Sequence, residues 1–157
     1  MRQSQEGSDV AAAHRLSVAI IRVRSRLREE AGMHATGLSA SQLAVLQSVV
    51  DDGPTTAAYL AQVQHVSAQS IAQNLAVLKA AGLVRGERDP ADGRKTLISA
   101  DPSAARLLSS LIAARESFLA RAIGQLVSPG ERRDLERAIS LLERFAAADL
   151  DAGDQAR

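Results

Sequence analysis

Apolar residues recur at helical spacing near the start of the chain. Their steps of four, three and four form one stripe and predict a helix over residues 10–31, which Gly32 ends. The arginines around this stripe form a basic face that is either solvated or in contact with DNA phosphates or an anionic ligand. Residues 33–38 are predicted to be a loop. The stripe consists of Leu16, Ile20, Val23 and Leu27.

A second helix is predicted to begin at Ser39. Ser39 and Gln42 have the spacing of a capping box, in which each side chain bonds the backbone amide of the other residue. Gly53-Pro54 ends this helix, because proline cannot continue it. Its buried face is predicted to consist of Leu43, Leu46, Val49 and Val50.

Two short helices joined by a tight turn are predicted next. Thr56 and Ser67 are their N-caps, residues 64–66 are the turn, and Ala81-Gly82 ends the second helix. The inward positions of the first helix are predicted to be Leu60, Ala61 and Val63. Those of the second are Ile71, Leu75 and Leu78.

Two weakly alternating segments follow, and we expect them to pair as a β-hairpin. They cover residues 83–88 and 95–99, with the turn-forming residues 89–93 between them. A two-stranded ribbon of this size is not stable alone and needs the helices behind it.

The last third of the chain predicts two helices, over residues 102–127 and 129–148. Ser128 and Glu131 have capping-box spacing, with Pro129 at the first helical position. The final helix should carry Leu135, Ile139 and Leu142 on an inward face, and residues 149–157 should fray.

Composition bounds the class of protein. With 157 residues, 46% of them apolar, and a net charge of +1, the chain can form one domain and is not a general polycation. It has no cysteine and no run of the roughly 20 apolar residues that a membrane helix needs. These features predict a cytoplasmic protein without a membrane contact.

A polar face on the helix after Ser67 is the first candidate binding surface. A rigid helix can enter the DNA major groove, where glutamine or asparagine can pair with adenine and serine can bond several bases. The alternative is an ordinary solvated face. The candidates are Ser67, Ala68, Gln69, Ser70, Gln73 and Asn74, with Ser39 and Thr56 at helix N-termini that could bind phosphate.

The basic hairpin is the second candidate surface. Arg94 follows Gly93 at the turn, where it could reach a narrow minor groove whose negative potential attracts arginine. Asp92 lies two residues away and could orient its guanidinium. Taken alone, Asp92 and Arg94 could equally form a surface ion pair. Arg88 and Lys95 complete the predicted DNA-binding set.

The helix order and the hairpin resemble the winged-helix regulators of the multiple-antibiotic-resistance regulator (MarR) family. The residues that carry the resemblance are Val66-Ser67, residues 78–84 and the wing sequence of residues 89–95. It implies a mainly α fold of six helices with a small β-wing, a winged helix-turn-helix. It also implies a homodimer on a pseudo-palindromic operator, as a ligand-responsive repressor.

The resemblance also divides the chain into regions. Within a single domain over residues 1–157, residues 39–101 would form the DNA-binding region and residues 10–38 and 102–150 the helical dimerisation region. Pairing would bury the apolar length that the small DNA-binding core cannot cover. Many members release DNA when a small aromatic, anionic effector binds between these regions, and Arg15 and Arg22 are the predicted contacts.

Three positions depart from the family pattern. Many relatives have arginine where this chain has Gln73, an apolar residue at Gln64 and glycine at His65. Gln73 suggests weaker or more adenine-directed contacts, and Gln64 puts the packing of the turn in question. His65 is interpreted as a helix-end residue, with a pH-sensing role as the alternative.

An enzyme and a protein-binding module are the two other classes of function. The three histidines have no metal-ligand spacing, and no nucleophile-elbow or phosphate-loop motif occurs, so no catalytic residue, metal or cofactor is predicted. A winged helix that contacts a partner protein remains an alternative, favoured by the near-neutral charge and the scarcity of basic residues on the helix after Ser67.

Overall fold

The structure is a computed structural model that describes residues 2–148, with side chains described from Gly7 onward. The predicted fraying of residues 149–157 lies outside the described residues. The chain forms two compact units, divided between Glu116 and Ser117.

Six α-helices and one two-stranded antiparallel sheet make up the described chain, which confirms the predicted fold class. In chain order the elements are α1 (Arg2–Glu30), a 3₁₀ turn (Met33–Thr36), α2 (Ala40–Asp52), α3 (Ala57–Val63), α4 (Ala68–Ala80), β1 (Val84–Arg88), β2 (Thr96–Ala100), α5 (Pro102–Leu126) and α6 (Arg132–Ala147). The predicted N-caps Ser39, Thr56 and Ser67 each accept a hydrogen bond from the backbone amide three residues later. The capping box of Ser39 with Gln42 is complete.

Two predicted helix starts were wrong. The first helix begins at Arg2 rather than at residue 10, because residues 2–9 include arginine, glutamine and glutamate, which favour a helix without an apolar stripe. The predicted loop after Gly32 contains the 3₁₀ turn. The final helix begins at Arg132, because the Glu131 carboxylate accepts hydrogen bonds from both the amide and the hydroxyl of Ser128, which leaves residues 128–131 as a turn.

The wing is held by backbone pairing. Strands β1 and β2 pair from Val84 with Ala100 to Arg88 with Thr96, and Thr55 adds an isolated bridge to Ile98. Helix α4 ends in a Schellman arrangement, in which the Gly82 amide bonds the Lys79 carbonyl and the Leu83 amide bonds the Leu78 carbonyl. Gly82 takes the left-handed φ of 70° that this ending requires.

The hydrophobic core lies between residues 31 and 111. Leu46, Leu60, Ile71 and Leu78 are fully buried and bring together α2, α3 and α4. Val63 was predicted to face inward but is exposed, so that prediction was wrong. Leu60 supplies the inward contact of α3.

Several apolar positions of α1 and α6 are exposed in the described part of the chain. Ile20 and Val23 on α1 are exposed. On α6, Leu135 is half-buried, Ile139 and Leu142 are exposed, and no residue is buried. The predicted apolar stripes exist, but the described chain leaves them largely accessible.

A winged helix-turn-helix interface

Helix α4 presents an exposed polar face. Gln69 and Gln73 lie one helical turn apart and both are exposed. The hydroxyl of Ser67 accepts from the Ser70 amide at 3.1 Å and lies 2.9 Å from the Ser70 hydroxyl. The two glutamines therefore extend from a helix whose first turn is well fixed.

Asn74 is placed differently from the two glutamines. It is half-buried, and its amide nitrogen donates to the Ser41 hydroxyl on α2 at 2.8 Å. Among the predicted residues of α4 and its N-cap, Ser70 is half-buried and Asn74 bonds α2, whereas four are exposed: Ser67, Ala68, Gln69 and Gln73.

The turn before α4 closes with histidine in a position that usually suits glycine. His65 has a φ of 52°, in the left-handed region. Its amide bonds the Gln62 carbonyl and the Val66 amide bonds the Ala61 carbonyl, so His65 is the helix-end residue that the sequence indicated. The side-chain Nε2 of Gln64 donates to the Ser48 hydroxyl on α2 at 3.2 Å, so this position is packed through a polar contact.

The wing tip carries one projecting cation. The Arg94 side chain is 93% exposed, and its Nε lies 3.3 Å from the Asp92 carboxylate. The same carboxylate oxygen accepts from the Arg94 amide at 3.2 Å, and the second oxygen lies 3.9 Å from the Lys95 ammonium. The predicted contact between Asp92 and Arg94 is therefore present, and it is compatible with both alternatives, an oriented arginine and a surface ion pair. Arg88 is exposed at the end of β1.

A separate cavity of about 320 Å³ lies within residues 24–115. Three arginines line it: Arg24 and Arg28 from α1, and Arg115 from α5. Among the described side chains, Arg28 has a buried Nε without a hydrogen-bond partner. The apolar wall includes Leu27, Met33, Leu43, Leu108 and Leu111.

Sequence reasoning missed this cavity. Arg15 and Arg22, the predicted effector contacts, line a shallow surface depression formed by α1 alone. The three cavity arginines come from helices far apart in sequence, so no local pattern distinguishes them from other arginines. Within the described residues there is no cluster of three or more histidine and acidic side chains that could hold a metal ion, and no helix able to cross a membrane.

These elements define the class of the molecule: a helix-turn-helix pair, a following β-wing and an oriented arginine at its tip form a winged helix. The MarR family model matches residues 36–95. An uncharacterized HTH-type transcriptional regulator of Mycobacterium leprae is 32% identical over 130 residues, which cover 83% of this chain and 88% of that protein. The chain belongs to the MarR family of DNA-binding transcriptional regulators.

Solved structures agree with this assignment. A putative transcriptional regulator of Pseudomonas aeruginosa superposes with a TM-score of 0.77 at 29% identity, covering 90% of this chain and 98% of that one. BpsR of Bordetella bronchiseptica, whose DNA binding is regulated by 6-hydroxynicotinic acid, gives a TM-score of 0.58 at 25% identity over 87% of this chain and 94% of its own.

Proposed function

We propose that the protein is a homodimeric, ligand-responsive repressor that binds a pseudo-palindromic operator. Helix α4 would lie in the major groove with Gln69 and Gln73 at base edges, and Arg94 would enter the adjacent minor groove. The observation that carries this proposal is the projecting Arg94, in contact with Asp92, in a chain whose α4 has an exposed polar face. Phosphate contacts would come from Ser39, Thr56, Ser67, Arg88 and Lys95. Such a role belongs in the cytoplasm and needs no catalytic residue.

Selection of bound fragments from a random duplex pool tests the operator. The expected result is a palindrome whose half-sites are about one helical turn, ~34 Å, apart. Affinity should fall steeply with added salt, because phosphate neutralisation releases counterions. Specific partner-protein binding that is insensitive to salt, with no duplex recovered, would instead favour the protein-contact alternative.

Arg94→Ala tests the wing. It should weaken operator binding by about tenfold, or ~1.4 kcal/mol. Arg137→Ala is the matched control, since Arg137 also lies 3.3 Å from a carboxylate, that of Asp134, in an exposed pair on α6. Binding isotherms with both variants measure the difference. Equal affinities for the two variants would contradict a minor-groove role for Arg94.

The cavity is the proposed effector site, and its chemistry favours an aromatic acid. Three guanidinium groups would attract an anion, and the buried Arg28 Nε has a hydrogen bond to donate. Leu27, Leu108 and Leu111 would contact a ring. Regulation of BpsR by 6-hydroxynicotinic acid supports this ligand class.

Thermal shift with 6-hydroxynicotinate, benzoate and neutral benzamide tests the site. The acids should stabilise the protein, by about 2.7 kcal/mol at a hundred times the dissociation constant, and benzamide should not. Arg28→Gln should remove the shift, whereas Arg22→Gln, outside the cavity, should keep it. The reverse result would restore the effector contacts predicted from sequence, Arg15 and Arg22.

The homodimer is proposed from the uncovered apolar faces of α1 and α6. On α6, Ile139, Leu142 and Phe145 are all exposed and recur at steps of three. A second copy would cover such a face by two-fold pairing. The predicted dimerisation region, residues 10–38 and 102–150, contains both helices.

A further inference from the structure

Helix α2 contacts the helix-turn-helix pair through two serines on one face. Ser41 and Ser48 are seven residues apart, two helical turns, so they lie above one another. Ser41 accepts a hydrogen bond from Asn74 on α4 at 2.8 Å. Ser48 accepts one from Gln64, at the end of α3, at 3.2 Å. Each of the two helices therefore has one amide-to-hydroxyl bond to α2.

The two amides differ from the exposed amides on α4. Gln69 and Gln73 are exposed and make no side-chain hydrogen bond among the described residues. Asn74 and Gln64 are half-buried, and the side-chain nitrogen of each donates a hydrogen bond to a serine of α2. A paired contact with adenine needs an amide that faces the groove with its donor and acceptor together. The Asn74 amide faces α2 instead.

We propose that Asn74 and Gln64 are positioning residues that fix the angle of α3 and α4 on α2, rather than residues that read bases. The hydrophobic attraction between the leucine side chains of these helices is non-directional. A hydrogen bond, by contrast, favours a particular length and angle, so it can fix one orientation of the helices. Two such bonds, one from the turn between α3 and α4 and one from the middle of α4, hold Gln69 and Gln73 at one orientation. That Gln69 and Gln73 contact bases rests on the proposed function.

A double-mutant cycle on Ser41 and Asn74 tests this inference. Ser41→Ala and Asn74→Ala each remove the same bond, so each should weaken operator binding by about two- to tenfold. The double variant should be no weaker than the weaker single variant, because the partners share one interaction. All three should keep the wild-type base preference. Ser41→Thr keeps the hydroxyl and should bind as the wild type does.

Gln73→Ala is the control for base reading, and it should change base preference at one operator position. If Asn74→Ala changes base preference and Ser41→Ala does not, Asn74 reads a base and the inference is wrong. Losses that simply multiply in the double variant would also overturn it. Circular dichroism at the binding temperature shows that each variant is folded when affinity is measured.

Amide hydrogen exchange separates this inference from the operator proposal. Exchange in α4 of the free protein should quicken by the same two- to tenfold in Ser41→Ala, Asn74→Ala and their double variant. Failure of the wild type to select any duplex would contradict the operator proposal, while exchange in α4 as slow as in the wild type in all three variants would overturn the positioning role. The same cycle on Ser48 and Gln64 should report on the end of α3.

Discussion

The winged helix and the terminal helix α6 differ in where their apolar side chains lie: those of the winged helix are largely buried within the chain, and those of α6 are largely exposed. All buried apolar side chains of the described chain lie between Ala31 and Leu111, where α2, α3, α4, the wing and the first part of α5 converge. Within residues 117–148 no side chain is buried, although Leu142 and Phe145 belong to a helix with a clear apolar face. The winged helix thus forms a core from one chain, whereas the terminal helix has a surface suited to a partner.

The largest effect should follow from damage to the single-chain core. Leu46 is fully buried, so Leu46→Ala should lower the free energy of unfolding by about 2–5 kcal/mol through lost contacts and a cavity. Leu126→Ala, at a side chain that is 79% exposed, should change it by less than about 0.5 kcal/mol. Urea unfolding measures both. Similar losses would mean that the two regions share one core.

A charge on the apolar face of α6 should separate assembly from folding. Leu142→Glu should raise the dimer dissociation constant at least about tenfold, because an unpaired charge would be buried on pairing. The winged helix should keep its thermal unfolding transition, and operator affinity should fall. Sedimentation velocity measures the mass. Ser140→Glu places the same charge two residues away and should leave the dimer intact; loss of the dimer in both variants would contradict a specific apolar interface.

The smallest expected effect is a pH dependence of stability that comes from Asp101, just before α5. Hydrogen bonds from the Ser103 hydroxyl at 2.7 Å and the Ser103 amide at 2.9 Å lower the pKa of Asp101 below its usual 3.8. A lowered pKa in the folded state means that the carboxylate stabilises the fold above pH 3.8 and that this contribution is lost as pH falls through the folded pKa.

Asp101→Asn should therefore be less stable than the wild type at neutral pH, and the gap should close on acidification. Urea midpoints at neutral pH and below pH 3.8 check this. Asp52→Asn, at an exposed carboxyl at the end of α2, is the control. A gap that stays constant with pH would show that Asp101 acts through packing rather than charge.

Local signals in the sequence predicted most of the fold. The caps at Ser39, Thr56 and Ser67 and the glycine at residue 82 each act within a few residues, so their spacing is visible along the chain. The Asp92-to-Arg94 contact was predictable for the same reason. The start of α1 was not predictable, because its first residues are polar and the apolar stripe that gives a periodic signal begins only later in the helix.

Contacts between distant elements were not predictable. Asn74 and Ser41 are 33 residues apart, and nothing in the spacing of either indicates the other. The cavity needs α1, α2 and α5 to meet before Arg28 differs from its exposed neighbours. Exposure of Val63 likewise depends on how α3 packs, which its apolar character alone does not decide.

Helix α2 has one further consequence for the design of biosensors. Ala40, Leu43, Ala44 and Gln47 line the cavity, while Ser41 and Ser48 bond the helix-turn-helix pair from another side of the same helix. In the proposed function, effector selectivity and the orientation of the helix-turn-helix pair therefore depend on separate sets of side chains. An engineer could vary the cavity residues in a library to detect new compounds while leaving the promoter of the reporter unchanged.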